Sequence, residues 1–421
     1  MKSRGKIIAG IDVGSSKIAT IIAQVSPEEE KINIVGASSI PSLGVRKGQI
    51  VNIEEASSAV IQSVEAAERM AGYSLSNVVV LLGGAHIASQ NSHGVVAVAE
   101  PEGEITAEDV RRVIEAARAI SIPSSREILH VIPRTYTVDS QEGVADPVGM
   151  SGVRLEVETH IITGSTTSIK NLTKCVSEVG ANIDALVFSG VAAAEAVLTD
   201  TEKELGVVLV DIGGGTVSMV IFQEGSPVYT SVLPVGAKNV TNDLAIGLRL
   251  SLESAEKLKL SLIEPQKENE EKQEDEIDLT KLGIQEAKTV SRKTVVEGII
   301  KPRLNEIFNI VGQEIQKSGF AGLTPSGIVI CGGGALTIGA VETCKKTLAL
   351  PVRIGYPTKV TGLIDDVMTP AFAAGIGLVL YAEKQEYSPK FSFPRIGKLI
   401  ERIPVKGSFS KLVQLIKSFL P

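Results

Sequence analysis

Two aspartates, Asp12 and Asp211, each follow a run of apolar residues and precede a turn of small ones. The two stretches read KIIAGIDVGSSKIATIIA over residues 6–23 and GVVLVDIGGGTVSMVIF over residues 206–222. Gly and Ser let backbone N–H groups approach an anion closely, and a neighbouring carboxylate can hold a hydrated divalent cation beside it. One such hairpin is usually only a turn. Two copies, 199 residues apart, indicate a duplicated domain that holds a nucleotide from both sides.

The composition fits a protein of two or more α/β domains, with 421 residues, 43% hydrophobic, 4% aromatic and no Trp. A net charge of -7 gives no global attraction to nucleic acid, so no nucleic-acid partner is expected. Cys175, Cys331 and Cys344 lack paired spacing, which favours buried thiols in a reducing cytosol over a metal site or a disulfide. The longest apolar run, residues 371–382, is shorter than the roughly 20 residues that span a bilayer. A soluble body without a targeting segment is predicted.

Hydrophobic periodicity predicts the elements that position these turns. In the first half, the predicted strands and helices cover residues 32–38, 54–71 and 77–83, then 168–179, 183–188 and an Ala-rich helix at 191–198. Short strands at 94–99, 129–138 and 153–163 surround a helix at 106–119, which indicates an inserted α+β subdomain.

The second half repeats the plan of a hairpin followed by a strand and helices. The predicted elements cover residues 227–233, 241–248, 252–262, 293–317, 327–331 and 370–382. Residues 264–278, with eight acids and two lysines, are predicted to form a mobile surface loop.

A third glycine cluster, residues 332–335, completes a pattern that resembles the actin, Hsp70 and sugar-kinase ATPase superfamily. Three segments narrow the resemblance to the bacterial FtsA cell-division family: SQNSHGVVAV at 89–98, the stretch 126–164, and PVGAKNVTNDLAIGLRLS at 234–251. The resemblance covers residues 5–382 almost continuously. It implies an α/β, actin-like ATPase fold, with two duplicated domains around a nucleotide cleft, an inserted α+β subdomain and a C-terminal amphipathic helix.

The resemblance also implies a division of the chain into six parts. They are a first actin-like subdomain (5–84, 164–198 and 360–382), the inserted subdomain (85–163), a second actin-like subdomain (199–228 and 301–359), a nucleotide- and partner-binding subdomain (229–300), a flexible basic linker (383–407) and a membrane-targeting helix (408–421).

ATP and Mg²⁺ are the ligands that the resemblance implies. Asp12 and Asp211 are expected to reach the metal through water. The residues expected to bind the nucleotide are Gly14, Ser15, Ser16 and Lys17 in the first phosphate loop; Gly213, Gly214, Gly215 and Thr216 in the second; Gly236; and Gly332, Gly333, Gly334 and Ala335 in the adenosine loop. Glu256 and Lys259 share a helix face and are expected to grip the adenosine. The alternatives are a solvated Lys17 and an ordinary surface ion pair of Glu256 with Lys259.

Two departures from the family patterns bear on the chemistry. Ser189 stands where chaperone relatives place a catalytic glutamate, so tight ATP binding with at most slow hydrolysis is expected. Glu195 is an alternative source of that carboxylate, but its helical position predicts an outward-facing surface residue. Residues 260–263 replace a Tyr-Gly that the family often has after Lys259, which changes the wall of the adenine pocket.

The tail changes in composition beyond residue 382. Residues 390–421 hold seven Lys or Arg against one Glu. In residues 408–420 the apolar side chains recur at helical spacing and the polar ones occupy the other side. This pattern predicts an amphipathic helix that lies in an anionic membrane interface. Its alternative is a helix that docks on the body. The predicted membrane-binding residues are Phe409, Leu412, Val413, Ile416, Phe419 and Leu420 on the apolar face, with Lys411 and Lys417 on the other.

The resemblance implies a protein at the cytoplasmic side of the membrane, at the division septum. It would polymerise into an actin-like filament, contact later division proteins through the inserted subdomain, and tether FtsZ by binding its C-terminal peptide. Arg249, Lys257 and Lys293 are the candidate contacts for that peptide. The alternatives are an actin-like pilus-assembly protein, which normally lacks such a tail, and a sugar-kinase-type phosphotransferase, against which both Ser189 and the tail argue.

Overall fold

A computed structural model describes residues 6–25, 32–98, 103–263, 275–362 and 367–387. The predicted helix at 408–421 and all but the first residues of the predicted linker lie outside the described residues. No helix in these ranges is long and apolar enough to cross a membrane.

Within the described ranges, the first half begins with five strands before its first helix. Its elements are β1 (Lys6–Val13), β2 (Lys17–Val25), β3 (Ile32–Pro41), β4 (Val45–Arg46), β5 (Gln49–Ile50), α1 (Ile53–Ala71), β6 (Asn77–Leu82), β7 (Ala88–Ala97), α2 (Ala107–Arg118), β8 (Arg126–Val138), β9 (Gln141–Val144), β10 (Arg154–Ser165), α3 (Thr166–Ser177), β11 (Asn182–Phe188) and α4 (Ser189–Val197).

The second half adds one π-helical and three 3₁₀ segments. Its elements are α5 (Asp200–Leu205), β12 (Val207–Ile212), β13 (Val217–Gln223), β14 (Ser226–Leu233), α6 (Ala237–Leu248), α7 (Leu252–Ser261), β15 (Glu276–Asp278), a 3₁₀ turn (Thr280–Leu282), β16 (Thr289–Ser291), the π-helix (Thr294–Ile300), α8 (Lys301–Lys317), β17 (Ile328–Cys331), a 3₁₀ turn (Gly333–Leu336), α9 (Ala340–Leu348), β18 (Val352–Ile354), β19 (Val360–Gly362), a 3₁₀ turn (Pro370–Phe372) and α10 (Ala373–Tyr387).

Two large sheets confirm the duplication that the sequence predicts. The first runs in the order β11-β6-β1-β2-β3-β19 and the second in the order β18-β17-β12-β13-β14. In each, the two strands of the Asp-containing hairpin pair antiparallel, and the first of them pairs parallel with a strand that follows a helix. The central strands are buried on both faces, which explains their continuous runs of Val, Ile and Leu.

Helices α4 and α10 pack closely between the sheets. Ala192, Ala193 and Ala194 of α4 are fully buried, and a side chain at Gly377 of α10 would collide with the Ala192 carbonyl. The Ala-rich sequence of α4 therefore permits a close helix–helix contact behind the cleft. The helix α10 also extends to Tyr387, so residues 383–387, predicted as the start of a flexible linker, are helical.

The inserted subdomain has its own sheet, β7-β10-β8-β9, and its own core against α2. Helix α2 begins as predicted with a capping box, in which the Thr106 hydroxyl accepts from the Asp109 N–H while the Asp109 carboxylate accepts from the Thr106 N–H. The subdomain contacts the second half at β14, where the Ser89 hydroxyl donates to the Thr230 carbonyl at 2.9 Å.

Some predicted elements differ from the structure. The acidic segment was predicted as loop throughout, but Glu276–Asp278 forms β15 and pairs with β16. The hydrophobic pattern does not predict this strand, because Ile277 is its only apolar residue. The predicted helix at 293–317 begins with a π-helical stretch, and the helix predicted from residue 241 begins at Ala237, one turn earlier.

Candidate functional site

The two hairpins close with the same turn. In the first, the Gly14 N–H donates to the Lys17 carbonyl at 3.1 Å, and in the second the Gly213 N–H donates to the Thr216 carbonyl at 2.9 Å. Both turns line one cavity of about 240 Å³ between the halves, together with Asp12 and Asp211. The structure therefore brings the two predicted phosphate loops face to face.

The loops approach each other so closely that side chains would not fit. A Cβ on Gly214 would lie 2.7 Å from the Ser16 Cβ, and one on Gly215 would lie 2.9 Å from the Ser15 hydroxyl. Such contacts are shorter than packed carbon and oxygen atoms tolerate. The glycines of the second loop thus allow backbone from both halves to surround a single ligand.

The second phosphate loop is held by the start of α6. The N–H groups of Ala237 and Lys238 donate to the carbonyls of Gly213 and Gly214 at 2.9 and 2.8 Å. Gly236 does not line the cavity, but a Cβ there would lie 2.6 Å from the Gly213 carbonyl oxygen. Its role is to let the helix begin directly against the loop.

Three ionisable groups lie together on the floor of the cavity. Burial raises the pKa of Asp12, although Lys17 opposes the shift. Burial and the neighbouring Asp12 raise the pKa of Asp211 to about 7. Burial lowers the pKa of Lys17 to about 8, against the two aspartates. Lys17 is not a freely solvated lysine, because its ammonium lies 3.1 Å from the centre of the Phe372 ring.

This donor set suits Mg²⁺ bound together with phosphate. No cluster of three metal-ligating side chains occurs among the described residues, so protein groups there do not complete a coordination shell. Mg²⁺ typically keeps several waters and takes one or two carboxylates plus phosphate oxygens. Asp12 and Asp211 supply two hard oxygen donors beside two phosphate loops. Burial raises the pKa of both carboxyl groups, and a bound cation would stabilise their charged forms.

The third glycine cluster and α7 also contribute to the cavity lining. Gly332, Gly333 and Gly334 line it, while Ala335 is buried behind them. A side chain on Gly334 would collide with Ile212, whereas one on Gly333 would meet only the Ala371 Cβ, at 3.7 Å. The open face of Gly333 is therefore where a planar ligand can lie against backbone.

Glu256 and Lys259 also line the cavity, and their ammonium and carboxylate are 2.7 Å apart. The Lys259 side chain is only 5% exposed and donates to the Thr241 hydroxyl at 2.9 Å. Lys259 is therefore buried, whereas the Glu256 side chain is 37% exposed, so the pair does not join two solvated side chains. Leu260 and Ile263, at the departure from the family pattern, supply an apolar wall beside the pair.

Ser189 lines the cavity at the start of α4, and its hydroxyl lies 3.2 Å from that of Ser218. Glu195, predicted to face outward, is instead 15% exposed and ion-paired with Lys203 at 2.8 Å and with Lys384. Although burial raises the pKa of Glu195, these two lysines bring it below its usual value. A carboxylate held in this way is not available as a base.

Sequence reasoning missed three residues at the site. Lys238 and Ser218 line the cavity, and Phe372 packs on Lys17. Ser218 is the second residue of β13, which directly follows the second phosphate loop. Lys238 belongs to the segment 234–251, but its sequence alone does not show that it reaches the cavity, and Phe372 lies in no quoted segment; the tertiary structure brings both residues to the site.

The three candidate peptide contacts lie on the surface of the second half. Arg249, Lys257 and Lys293 are all exposed, and Lys257 pairs with Glu253 at 2.9 Å. All the predicted membrane-binding residues, 409–420, lie outside the described residues.

Comparison with known proteins decides the family. A family model described as "SHS2 domain inserted in FTSA" matches residues 84–163, and one described as "Cell division protein FtsA" matches residues 208–377. Cell division protein FtsA of Neisseria meningitidis is 39% identical over 419 residues, covering 99% of this chain and 100% of that protein. The chain belongs to the FtsA family of cell-division proteins. The FtsA of Pseudomonas aeruginosa is 38% identical over 91% of this chain and 90% of its own, and that of Bacillus subtilis 36% over 96% and 90%.

Solved structures confirm the actin-like fold that the FtsA resemblance implies. A PilM–PilN type IV pilus biogenesis complex matches with a TM-score of 0.62 at 16% identity, covering 90% of this chain and 99% of that one. MreB 5 of Spiroplasma citri bound to AMPPNP matches with a TM-score of 0.51 at 14% identity, covering 90% and 96%. At these identities the fold alone is shared, so the pilus-assembly alternative rests on fold while the FtsA assignment rests on sequence.

Proposed function

We propose that this cell-division protein binds Mg²⁺–ATP in the cleft between its two halves. The observation that carries the proposal is that two turns with the same backbone hydrogen bond, each preceded by an aspartate, meet in one cavity; they join β1 to β2 and β12 to β13. Asp12 and Asp211 hold the metal through water, and the two loops bind the phosphates through backbone N–H groups. The fold neighbour MreB 5 of Spiroplasma citri is described as bound to AMPPNP, which supports a nucleotide as the ligand.

Calorimetry tests this binding. Titration of Mg²⁺–ATP into the protein is expected to give a saturating heat, and Asp211→Ala is expected to lose most of it. Asp184→Ala, at an exposed aspartate outside the cavity, is the control and retains wild-type binding. Absence of heat from the wild-type protein would refute the proposal.

Hydrolysis is expected to be slow. The carboxylates lining the cavity, within the described residues, are those of Asp12, Asp211 and Glu256. The first two are assigned to the metal, and Glu256 is tied to Lys259. Ser189, where the resemblance places the catalytic glutamate of chaperone relatives, offers no carboxylate to orient water. We therefore expect ATP to act by binding and changing the conformation of the protein, and its hydrolysis to contribute little.

The second part of the proposal concerns assembly. ATP closes the two halves, closed subunits polymerise, and the filament holds FtsZ at the cytoplasmic face of the membrane at the septum. The FtsZ C-terminal peptide docks on residues 229–300 near Arg249, Lys257 and Lys293. Ile246 and Leu252, three residues on either side of Arg249 in the sequence, are 78% and 61% exposed and offer apolar side chains to a peptide.

The predicted tail at 408–421 anchors this filament to anionic lipid. Each lysine near an anionic leaflet contributes roughly 1 kcal/mol, so a single tail is a marginal anchor. A row of tails on a polymer raises the effective concentration and holds the assembly by avidity. The inserted subdomain contacts the next subunit and later division proteins.

Vesicle co-sedimentation tests the switch. Wild-type protein is expected to sediment with anionic vesicles more strongly with ATP than without it, and to recruit the FtsZ tail peptide. Asp211→Ala is expected to lose the ATP effect, and deletion of 408–421 to lose vesicle binding altogether. Unchanged vesicle binding and filament formation in Asp211→Ala would contradict the switch.

A further inference from the structure

Lys238 contacts both phosphate loops at once. Its backbone N–H donates to the Gly214 carbonyl of the second loop at 2.8 Å, which fixes the start of α6 there. Its ammonium crosses the cleft and donates to the Ser15 carbonyl of the first loop at 2.7 Å. The side chain therefore spans the space between the two loops, and it lines the cavity that they enclose.

The charge of Lys238 is not balanced by a carboxylate. Among the described residues, the lysines that line the cavity are Lys17, Lys238 and Lys259. Lys17 faces Asp12 and Asp211, and Lys259 is paired with Glu256. Lys238 has no ion-pair partner in the part of the chain that the structure describes, and its contact on Ser15 is a neutral carbonyl.

An ammonium in this position has donors to spare. A lysine carries three N–H donors, and the Ser15 carbonyl uses one of them. The remaining two lie beside two turns whose glycines and serines suit a phosphate chain. Hydrogen bonds from a cation to phosphate oxygens are stronger than those to a neutral carbonyl.

We propose that Lys238 is a phosphate ligand of the cleft, which bridges both loops and selects nucleotides with two or three phosphates over AMP and adenosine. The inference rests on the proposed nucleotide binding and adds a residue that lies outside the two phosphate loops and the adenosine loop. A purely mechanical role, in which Lys238 only joins the halves, makes a different prediction, because it would affect adenosine and ATP alike.

Calorimetric affinities for adenosine, AMP, ADP and ATP, each with Mg²⁺, distinguish the two roles. For Lys238→Gln, we expect roughly tenfold to hundredfold weaker binding of ADP and ATP, as for loss of a hydrogen bond to a charged group. Binding of adenosine is expected to stay unchanged. Lys238→Arg, which keeps the charge, is expected to retain most of the affinity for ATP and covers the case of a Gln variant that misfolds.

Lys346→Gln, at an exposed lysine of α9, is the charge-matched control and is expected to bind all four ligands as the wild-type protein does. The inference is overturned if Lys238→Gln binds ATP normally, or if it loses ATP and adenosine to the same extent. It is also overturned if Lys238→Arg loses as much affinity as Lys238→Gln. Wild-type protein that binds none of the four ligands would refute the proposed function itself, so the two failures are distinguishable.

Discussion

The contact between the inserted subdomain and the second half is expected to weaken in acid, because it contains a buried neutral histidine. His160 on β10 is 1% exposed. Its Nδ1 lies 2.7 Å from the Asn91 side-chain oxygen and its Nε2 lies 2.9 Å from the Thr230 hydroxyl. Burial, together with nearby Arg134 and His130, lowers the pKa of His160 from 6.5 to about 3.

The sign and size of the effect follow from the two pKa values. The unfolded chain binds a proton at His160 below about pH 6.5, whereas the folded protein does not until about pH 3. The contribution to stability is therefore complete above pH 6.5 and is lost as the pH falls towards 3. Because pH 5 lies 1.5 units below the pKa of 6.5 in the unfolded chain, protonation of His160 there lowers the free energy of unfolding by about 2 kcal/mol.

Urea unfolding at pH 7.5 and pH 5, for the wild-type protein and His160→Gln, measures this effect. The variant removes the titrating group, so its loss of stability between the two pH values is expected to be smaller by about 2 kcal/mol. NMR of the His160 ring proton on the folded protein is expected to show no titration above pH 5. A ring that titrates near pH 6.5, or an unchanged pH dependence in the variant, would refute the reasoning.

Three further predictions concern the cleft and its supports. Ser189→Glu restores a carboxylate at the cavity and is expected to raise ATP turnover by roughly a hundredfold from a wild-type rate below about 1 s⁻¹; an unchanged rate in a phosphate-release assay would show that Ser189 does not face the attacking water. Gly334→Ala places a methyl against Ile212, so urea unfolding should show a loss of roughly 1–3 kcal/mol, and wild-type stability would contradict the packing. His130→Phe leaves the buried Phe188 N–H without its acceptor, at 2.9 Å in the wild type, and is expected to lose roughly 1–3 kcal/mol in the same measurement; no loss would mean the N–H finds another partner.

Much of the architecture could be predicted because local pattern and tertiary structure agree. The central strands are apolar on both faces, the hairpins carry their own turn residues, and α2 carries its own cap. Short pairings such as β15–β16 and β4–β5 could not be predicted, because two or three residues hold too little pattern.

The site shows the same division. The glycine-rich loops could be found from residue type, because close approach of backbone requires residues without bulky side chains. The prediction that Glu195 faces outward is wrong. Its ion-pair partners, Lys203 and Lys384, lie on α5 and α10, and the sequence pattern of α4 does not indicate that these helices pack against it. The positions of Lys238 and Phe372 could not be predicted for the same reason. Each reaches the cleft because of how its element packs in the tertiary structure.

The duplicated turns are not equivalent, and their differences indicate separate tasks. The first loop has Ser15 and Lys17, and the Ser15 hydroxyl accepts the Gly48 N–H at 2.8 Å, which fixes it to its own half. The second loop is all glycine up to Thr216, and helix α6 holds it through its carbonyls. The first loop therefore supplies a positive charge, and the glycines of the second loop, which lack side chains, leave space for a ligand. Because Lys238 extends from the second half to the first, a phosphate bound by its remaining donors would be held by a side chain that already joins the two halves.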